Sequence, residues 1–224
     1  MRDLIIQVMP ALLWAISAAD LAVCVLLLRE FFRQGRKPLP LLMALVAFGL
    51  FYDAFIVALG TVMGPGDALK GLSQLRYVLH CTLIPFTLPI CGLALRLKKL
   101  PMEIIWAVTA ALVVAGCAAG FSVVTESAAV GAVTRYASAD ATPAWADGVQ
   151  NGLSFGPVFL IMAAGIALWV REKNPHLFLS GFLMFLFAAL GPATGNFDLI
   201  FFISMFGELF MAVFFLLFVK KRKE

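Results

Sequence analysis

Seven runs of predominantly apolar residues constrain this chain more than any other feature of its sequence. A helix rises about 1.5 Å per residue, so roughly 20 residues cross the ~30 Å of hydrocarbon in a bilayer. Backbone groups in lipid must bond within their own helix unless a barrel closes, and these runs lack the alternation of barrel strands. The sequence therefore predicts an all-α, polytopic integral membrane protein whose seven transmembrane helices lie at residues 4–28, 39–63, 72–97, 101–125, 152–170, 177–195 and 197–219.

Composition agrees with lipid as the main solvent of the chain. Hydrophobic residues make up 62% of its 224 residues and charged residues 13%, against about 45–50% and about 25% in soluble domains. We expect residues 1–224 to form a single transmembrane domain with one long outer loop at 126–151. The net charge of +4 is clustered next to the apolar runs. It predicts contact with anionic membrane lipids and no nucleic-acid partner.

The distribution of Lys and Arg predicts the orientation. Of the 17 such residues, only Arg2, Lys70, Arg76 and Arg135 fall at the end of the predicted bundle that carries the N-terminus. Cytoplasmic loops carry the excess of positive charge, so we expect the N-terminus outside and the C-terminus in the cytoplasm. The short loops and the absence of an Asn-x-Ser/Thr acceptor fit a bacterial inner (cell) membrane.

Ionisable residues inside the predicted spans indicate a site. A charged side chain at membrane depth costs at least a few kcal/mol, so it is expected to face the bundle interior. Counted from the outer helix ends, Asp53, His80 and Glu208 lie at similar depths of roughly 12–15 Å. These three are the candidate catalytic residues. Asp20, roughly 23 Å deep, is expected to lie too far down to contact them directly.

Further polar residues extend this candidate site. Arg76 precedes His80 by one helical turn on the same face. Pro85 and Pro89 each remove a backbone hydrogen bond, which predicts a kink just below His80. Asn196 and Asp198 are expected to line the outer mouth of the site. The candidate ligand-binding residues are thus Arg76, Tyr52, Ser73, Ser204, Asn196 and Asp198.

Three interpretations of the site stay open at this point. A pocket could bind or modify a lipid or amphiphilic small molecule from the outer leaflet, with His80 and a carboxylate as acid and base. The same pocket could hold a divalent metal on Asp53, His80 and Glu208. A proton- or cation-coupled transporter would use Asp20 as the next group of a proton path. A purely structural polar network would only fix helix packing.

Two common cofactors of helical membrane proteins are not expected. Retinal needs a lysine within the last helix, and that run has none before Lys220. A transmembrane haem usually needs paired histidines at membrane depth, but the second histidine of the chain, His176, lies at a span boundary.

Overall fold

The computed structural model describes residues 2–195 and 197–222. Within them the fold is helical apart from one hairpin, which confirms the predicted class. The helices are α1 (Arg2–Arg33), α2 (Pro38–Leu59), α3 (Asp67–Leu83), α4 (Thr87–Ala94), α5 (Lys99–Ser122), α6 (Ala144–Glu172), α7 (His176–Ala193) and α8 (Ile200–Lys221). Seven helical segments of this described part are long and apolar enough to cross a membrane; α3 and α4 together form one of them.

The outer surface of the bundle is apolar, as a lipid-facing surface requires. On α5, Val114 and Phe121 expose 70% and 67% of their surface. Large contiguous apolar surfaces of this kind are rare on soluble monomers. The seven apolar helices and this surface together fit a multi-pass integral membrane protein.

Helix α2 lies at the centre of the bundle, where it packs against α1, α3, α4 and α8. Helix α5 supports α3 from the other side and approaches it closely. A Cβ atom on Gly116 would overlap the backbone of Cys81, and one on Gly120 would overlap Val78. Two glycines one turn apart thus allow α5 to hold α3 against the centre of the bundle.

A β-hairpin covers one end of the bundle, which we call the hairpin end. Strands β1 (Thr125–Val130) and β2 (Val133–Ser138) pair antiparallel around Gly131, whose φ of +59° suits glycine. The Thr134 N–H donates to the Gly60 carbonyl at 3.0 Å. Gly60 has no room for a side chain, because the Thr134 carbonyl occupies that space. We call the opposite end, which carries the Lys- and Arg-rich connections, the basic end.

The segment 126–151 thus differs from the long loop expected there. Strand-forming β-branched residues flank a glycine turn in its first half, and they pair locally. Its last residues form the first two turns of α6, which begins directly after Pro143. Proline is compatible with a helix start because its missing N–H is not needed there.

The third span is interrupted below His80, as Pro85 and Pro89 predict. Helix α3 ends at Leu83, a 3₁₀ turn spans Ile84–Phe86, and α4 begins at Thr87. The Thr87 hydroxyl donates to the Ile84 carbonyl at 2.7 Å, which pairs one of the carbonyls at the break.

Candidate functional site

An Arg–Asp–His cluster forms where α2 and α3 meet near the hairpin end. Arg76 Nη1 donates to Asp53 Oδ1 at 2.9 Å, and His80 Nδ1 lies 3.7 Å from Asp53 Oδ2. The Arg76 and Asp53 side chains are only 9% and 15% exposed. The structure therefore brings together three residues that helical spacing and depth had grouped.

The hairpin completes the surroundings of Arg76. Arg76 Nη2 donates to the Tyr136 carbonyl at 3.1 Å, while the Tyr136 hydroxyl accepts from the Gly66 N–H at 3.1 Å. Arg76 also lies over the Tyr77 ring, 4.8 Å from its centroid. Both terminal nitrogens of Arg76 thus have protein partners, and its charge is balanced by Asp53. Among the described residues, Arg76 Nε is buried without a hydrogen-bond partner.

Two further carboxylates approach this cluster from α1 and α8. Glu208 is buried and lies within electrostatic range of Asp53, Asp20 and Arg76. Asp20 is completely buried and lies within electrostatic range of Asp53. Within the described part of the chain, neither oxygen of Asp20 has a hydrogen-bond partner, and Glu208 Oε2 has none either.

The structure places Asp20 nearer the cluster than its estimated depth, although among the described residues its oxygens form no hydrogen bond with the cluster. Trp14 Nε1 donates to Thr61 Oγ1 at 3.2 Å, and Cys24 Sγ donates to the Ala44 carbonyl at 3.4 Å. Asp20 lies between these two contacts along α1, in the stretch that packs on the middle of α2, and is within electrostatic range of Asp53. Helix α1 extends beyond the end of α2 at the hairpin end, and counting residues from the N-terminus therefore overestimates the depth of Asp20.

A cavity of about 260 Å³ adjoins the cluster, between α3, α6, α7 and α8. Most of its lining side chains are apolar, and we call it the apolar cavity. Its polar lining residues are His80, Thr87, Ser154, Ser204 and Glu208. Phe155 and Phe185 also line it and are 53% and 36% exposed on the outer surface. The cavity therefore reaches the lipid-facing surface between α6 and α7.

A second cavity, of about 140 Å³, also has His80 in its lining. We call it the polar cavity, because its lining residues are Asp53, Arg76, Tyr77, His80, Cys81, Gln150 and Ser154. His80 and Ser154 line both cavities, so the two adjoin there. Gln150 Nε2 is buried without a hydrogen-bond partner among the described residues.

Gln150 and Ser154 were not among the predicted site residues. The predicted fifth span began at residue 152, which left Gln150 in the long loop. The signal was present: Pro143 and Asp147 mark a helix start, and Gln150 and Ser154 then lie one turn apart on one face.

Of the other candidate residues, Tyr52, Ser73 and Asp198 lie outside the two cavities, whereas Ser204 lines one of them. The Tyr52 hydroxyl donates to the Leu72 carbonyl at 3.4 Å, and Ser73 is buried on α3. Asp198 pairs with Arg2 on the surface at 2.5 Å and does not join the cluster. Ser204 donates to the Phe201 carbonyl at 3.0 Å and lines the apolar cavity. Asn196 lies outside the described residues.

The geometry favours acid–base and hydrogen-bonding chemistry at this site. Within residues 2–195 and 197–222, no group of three or more His, Cys, Asp and Glu side chains is arranged to hold a metal ion. Asp53, His80 and Glu208 thus form no such group. His80 with Asp53 beside it can instead accept or donate a proton at a bound molecule. The chain matches no model of a known protein family and no curated protein sequence.

Proposed function

We propose that the protein binds a lipid or amphiphilic small molecule in the two adjoining cavities. The observation that carries this proposal is that His80 and Ser154 line both the apolar and the polar cavity. The apolar part of the ligand would occupy the apolar cavity, and its polar end would lie beside Arg76 and Gln150. The combined volume falls within the roughly 300–1,000 Å³ typical of small-molecule sites.

The ligand would enter from the outer leaflet of a bacterial inner membrane. This part of the proposal is supported by the excess of Lys and Arg at the basic end, which is typical of a cytoplasmic end. The hairpin end then faces outward. A ligand could move laterally from lipid past Phe155 and Phe185, whose exposed rings line the apolar cavity.

The polar cavity favours an uncharged or zwitterionic polar group with an acceptor oxygen. Arg76 and Asp53 already balance each other's charge. Arg76 Nε and Gln150 Nε2 remain as buried donors without partners in the described part of the chain. A buried donor left unpaired costs about 1–3 kcal/mol, so a ligand oxygen that accepts from either nitrogen gains affinity.

Chemical modification of the ligand would rest on His80. The imidazole lines both cavities and has the Asp53 carboxylate 3.7 Å from Nδ1. A carboxylate beside an imidazole orients the ring for proton transfer at its other nitrogen. A product that accumulates with wild type and not with His80→Gln, although both retain the ligand, would assign a catalytic role to His80.

Mass spectrometry of extracts from protein purified in mild detergent tests the binding proposal. Ala188→Leu narrows the apolar cavity, whereas Ala163→Leu adds the same side chain at an exposed position of α6. We expect wild type and Ala163→Leu to retain a specific amphiphile, and Ala188→Leu to lose most of it. Equal retention by all three proteins would contradict the proposal.

Asp20 favours a second candidate function, proton- or cation-coupled transport of the same ligand. It is a buried carboxylate with two unpartnered oxygens in the described structure, within electrostatic range of Asp53. In proteoliposomes containing a pH-sensitive dye, ligand addition should move protons with wild type and not with Asp20→Asn. If both proteins bind the ligand and neither moves protons, proton-coupled transport is excluded.

A further inference from the structure

Three connections at the basic end hold a cation in a left-handed backbone conformation: Lys173 directly follows α6, Arg96 follows α4 by two residues and Arg36 follows α1 by three. Among the described residues, the non-glycine residues with positive φ are Arg36, Arg96 and Lys173, at 61°, 56° and 54°. Glycine is the usual residue at such a helix end. The left-handed conformation costs another residue about 1–2 kcal/mol, and the helix dipole returns only about 0.3–1 kcal/mol to a cation. The helix dipole alone therefore does not account for the cations at these positions.

Two adjoining cavities lie among these helix ends. One, of about 340 Å³, includes Lys37, Arg96 and Arg222 in its lining, together with the apolar Leu39 and Leu93. The other, of about 450 Å³, is lined by Arg96, Glu172, Asn174, Lys221 and Arg222. Arg96 and Arg222 line both cavities. We call the four cations Lys37, Arg96, Lys221 and Arg222 the basic groove; Glu172 is the carboxylate among its lining residues.

Arg222 is the most buried cation of the basic groove and is incompletely paired. Its side chain is 11% exposed, and Nη2 lies 3.6 Å from Glu172 Oε1. Within the described residues, Nη1 is buried without a hydrogen-bond partner. Burial lowers the pKa of Arg222; Glu172 opposes this effect, and Arg96 and Arg171 lower the pKa further. An arginine nevertheless stays charged, so the surroundings favour an added anion.

We propose that the basic groove binds an anionic phosphate group, with Arg96 and Arg222 as its main donors. A planar guanidinium offers two parallel N–H donors that match phosphate oxygens, and Nη1 of Arg222 lacks a partner in the described structure. The phosphate belongs either to a lipid headgroup, whose acyl chain would contact Leu39 and Leu93, or to a soluble phosphate ester. This site lies at the opposite end of the bundle from the hairpin and is independent of the function proposed above.

Native mass spectrometry of the full chain in a neutral detergent tests this site. Phosphatidylglycerol and phosphatidylcholine with identical acyl chains are the lipid probes. We expect clear preference for phosphatidylglycerol, because the choline cation is repelled by the groove. Competition with glycerol phosphate distinguishes the sources: displacement at low concentration indicates a soluble ester, and resistance to displacement indicates a lipid headgroup.

Paired double variants localise the effect. Arg96→Gln with Arg222→Gln removes the two shared cations. Arg29→Gln with Lys98→Gln removes the same charge from exposed positions of the same end that line neither cavity. The first pair should weaken phosphatidylglycerol binding at least about tenfold, the factor for one lost charge-assisted bond, and the second pair should have little effect.

Two results would overturn the proposal. One is equal binding of the two lipids by wild type with no effect of glycerol phosphate, a measurement that needs no variant to fold. The other is equal weakening of phosphatidylglycerol binding in the two double variants. That result would show that general surface charge causes the preference. Arg96→Lys with Arg222→Lys should bind with intermediate strength, because it keeps the charge and loses the paired donors.

Discussion

Removing Arg76 should destabilise the protein far more than removing an exposed arginine. Arg76→Leu leaves the Asp53 carboxylate, 15% exposed, without its 2.9 Å partner. It also leaves the Tyr136 carbonyl with the Tyr77 hydroxyl at 3.5 Å in place of the Arg76 donor at 3.1 Å. Breaking a buried ion pair on one side costs about 3–5 kcal/mol. Replacing both partners by apolar residues is often neutral or stabilising, so Asp53→Leu with Arg76→Leu should recover most of that loss.

Arg2→Leu is the matched control, because it breaks the Arg2–Asp198 pair, whose side chains are 59% and 61% exposed. An exposed pair contributes about 0–1 kcal/mol. Titration with a denaturing detergent gives the free energies of unfolding. Labelling of the buried thiols of Cys24, Cys81 and Cys91 by a maleimide dye during heating gives an independent measure of thermal unfolding.

Two outcomes of these measurements are decisive for the Arg76–Asp53 pair. A loss for Arg76→Leu no larger than that for Arg2→Leu would refute the view that the Arg76–Asp53 pair is a buried, coupled unit. The double variant also tests the interpretation of the cluster as a purely structural network. If it folds with normal stability and still retains the same co-purified ligand, Arg76 and Asp53 serve packing and do not bind the ligand.

Three further predictions concern packing and polar groups. Gly165→Ala should lower the free energy of unfolding by about 1–3 kcal/mol, because the new Cβ would overlap the backbone of Phe178. Gly152→Ala, where that Cβ meets open space, should be neutral or stabilising by up to about 1 kcal/mol in the same titration. Asp20→Asn should be at least as stable as wild type, because a buried carboxylate without partners is costlier than an amide; a marked loss of stability would contradict its unpartnered state. Tyr136→Phe should cost about 0.5–1.5 kcal/mol and speed amide hydrogen exchange in the α2–α3 connection, whose backbone bonds to that hydroxyl.

The number of spans could be predicted because length and hydrophobicity alone decide which segments cross hydrocarbon. Their ends could not, because a helix continues outside the hydrocarbon wherever backbone bonding and packing allow. Helix α6 thus begins at Ala144, eight residues before the predicted residue 152. Composition gave no direct indication of the hairpin, since its pairing depends on Gly131 and on contact with Gly60.

The part of the candidate site whose residues share one helix, or lie at equal depths on neighbouring helices, could be predicted. Arg76 and His80 share a face of α3, and Asp53 lies level with them on the neighbouring α2. The position of Asp20 was not predictable, because it depends on how far α1 extends past α2. The Trp14–Thr61 hydrogen bond shows the offset between these two helices. Offsets between helices are tertiary properties and leave no periodic signal in the sequence.

Because the third span is interrupted, it consists of two short helices joined by a turn. Helix α3 carries the Arg76 and His80 side chains, while α4 leads to Arg96 at the basic end. The connecting 3₁₀ turn is three residues long, and two prolines near it supply no N–H to the backbone ladder. A continuous helix would move as one rigid body. A helix interrupted in this way can bend at the turn, so α3 and α4 need not move together.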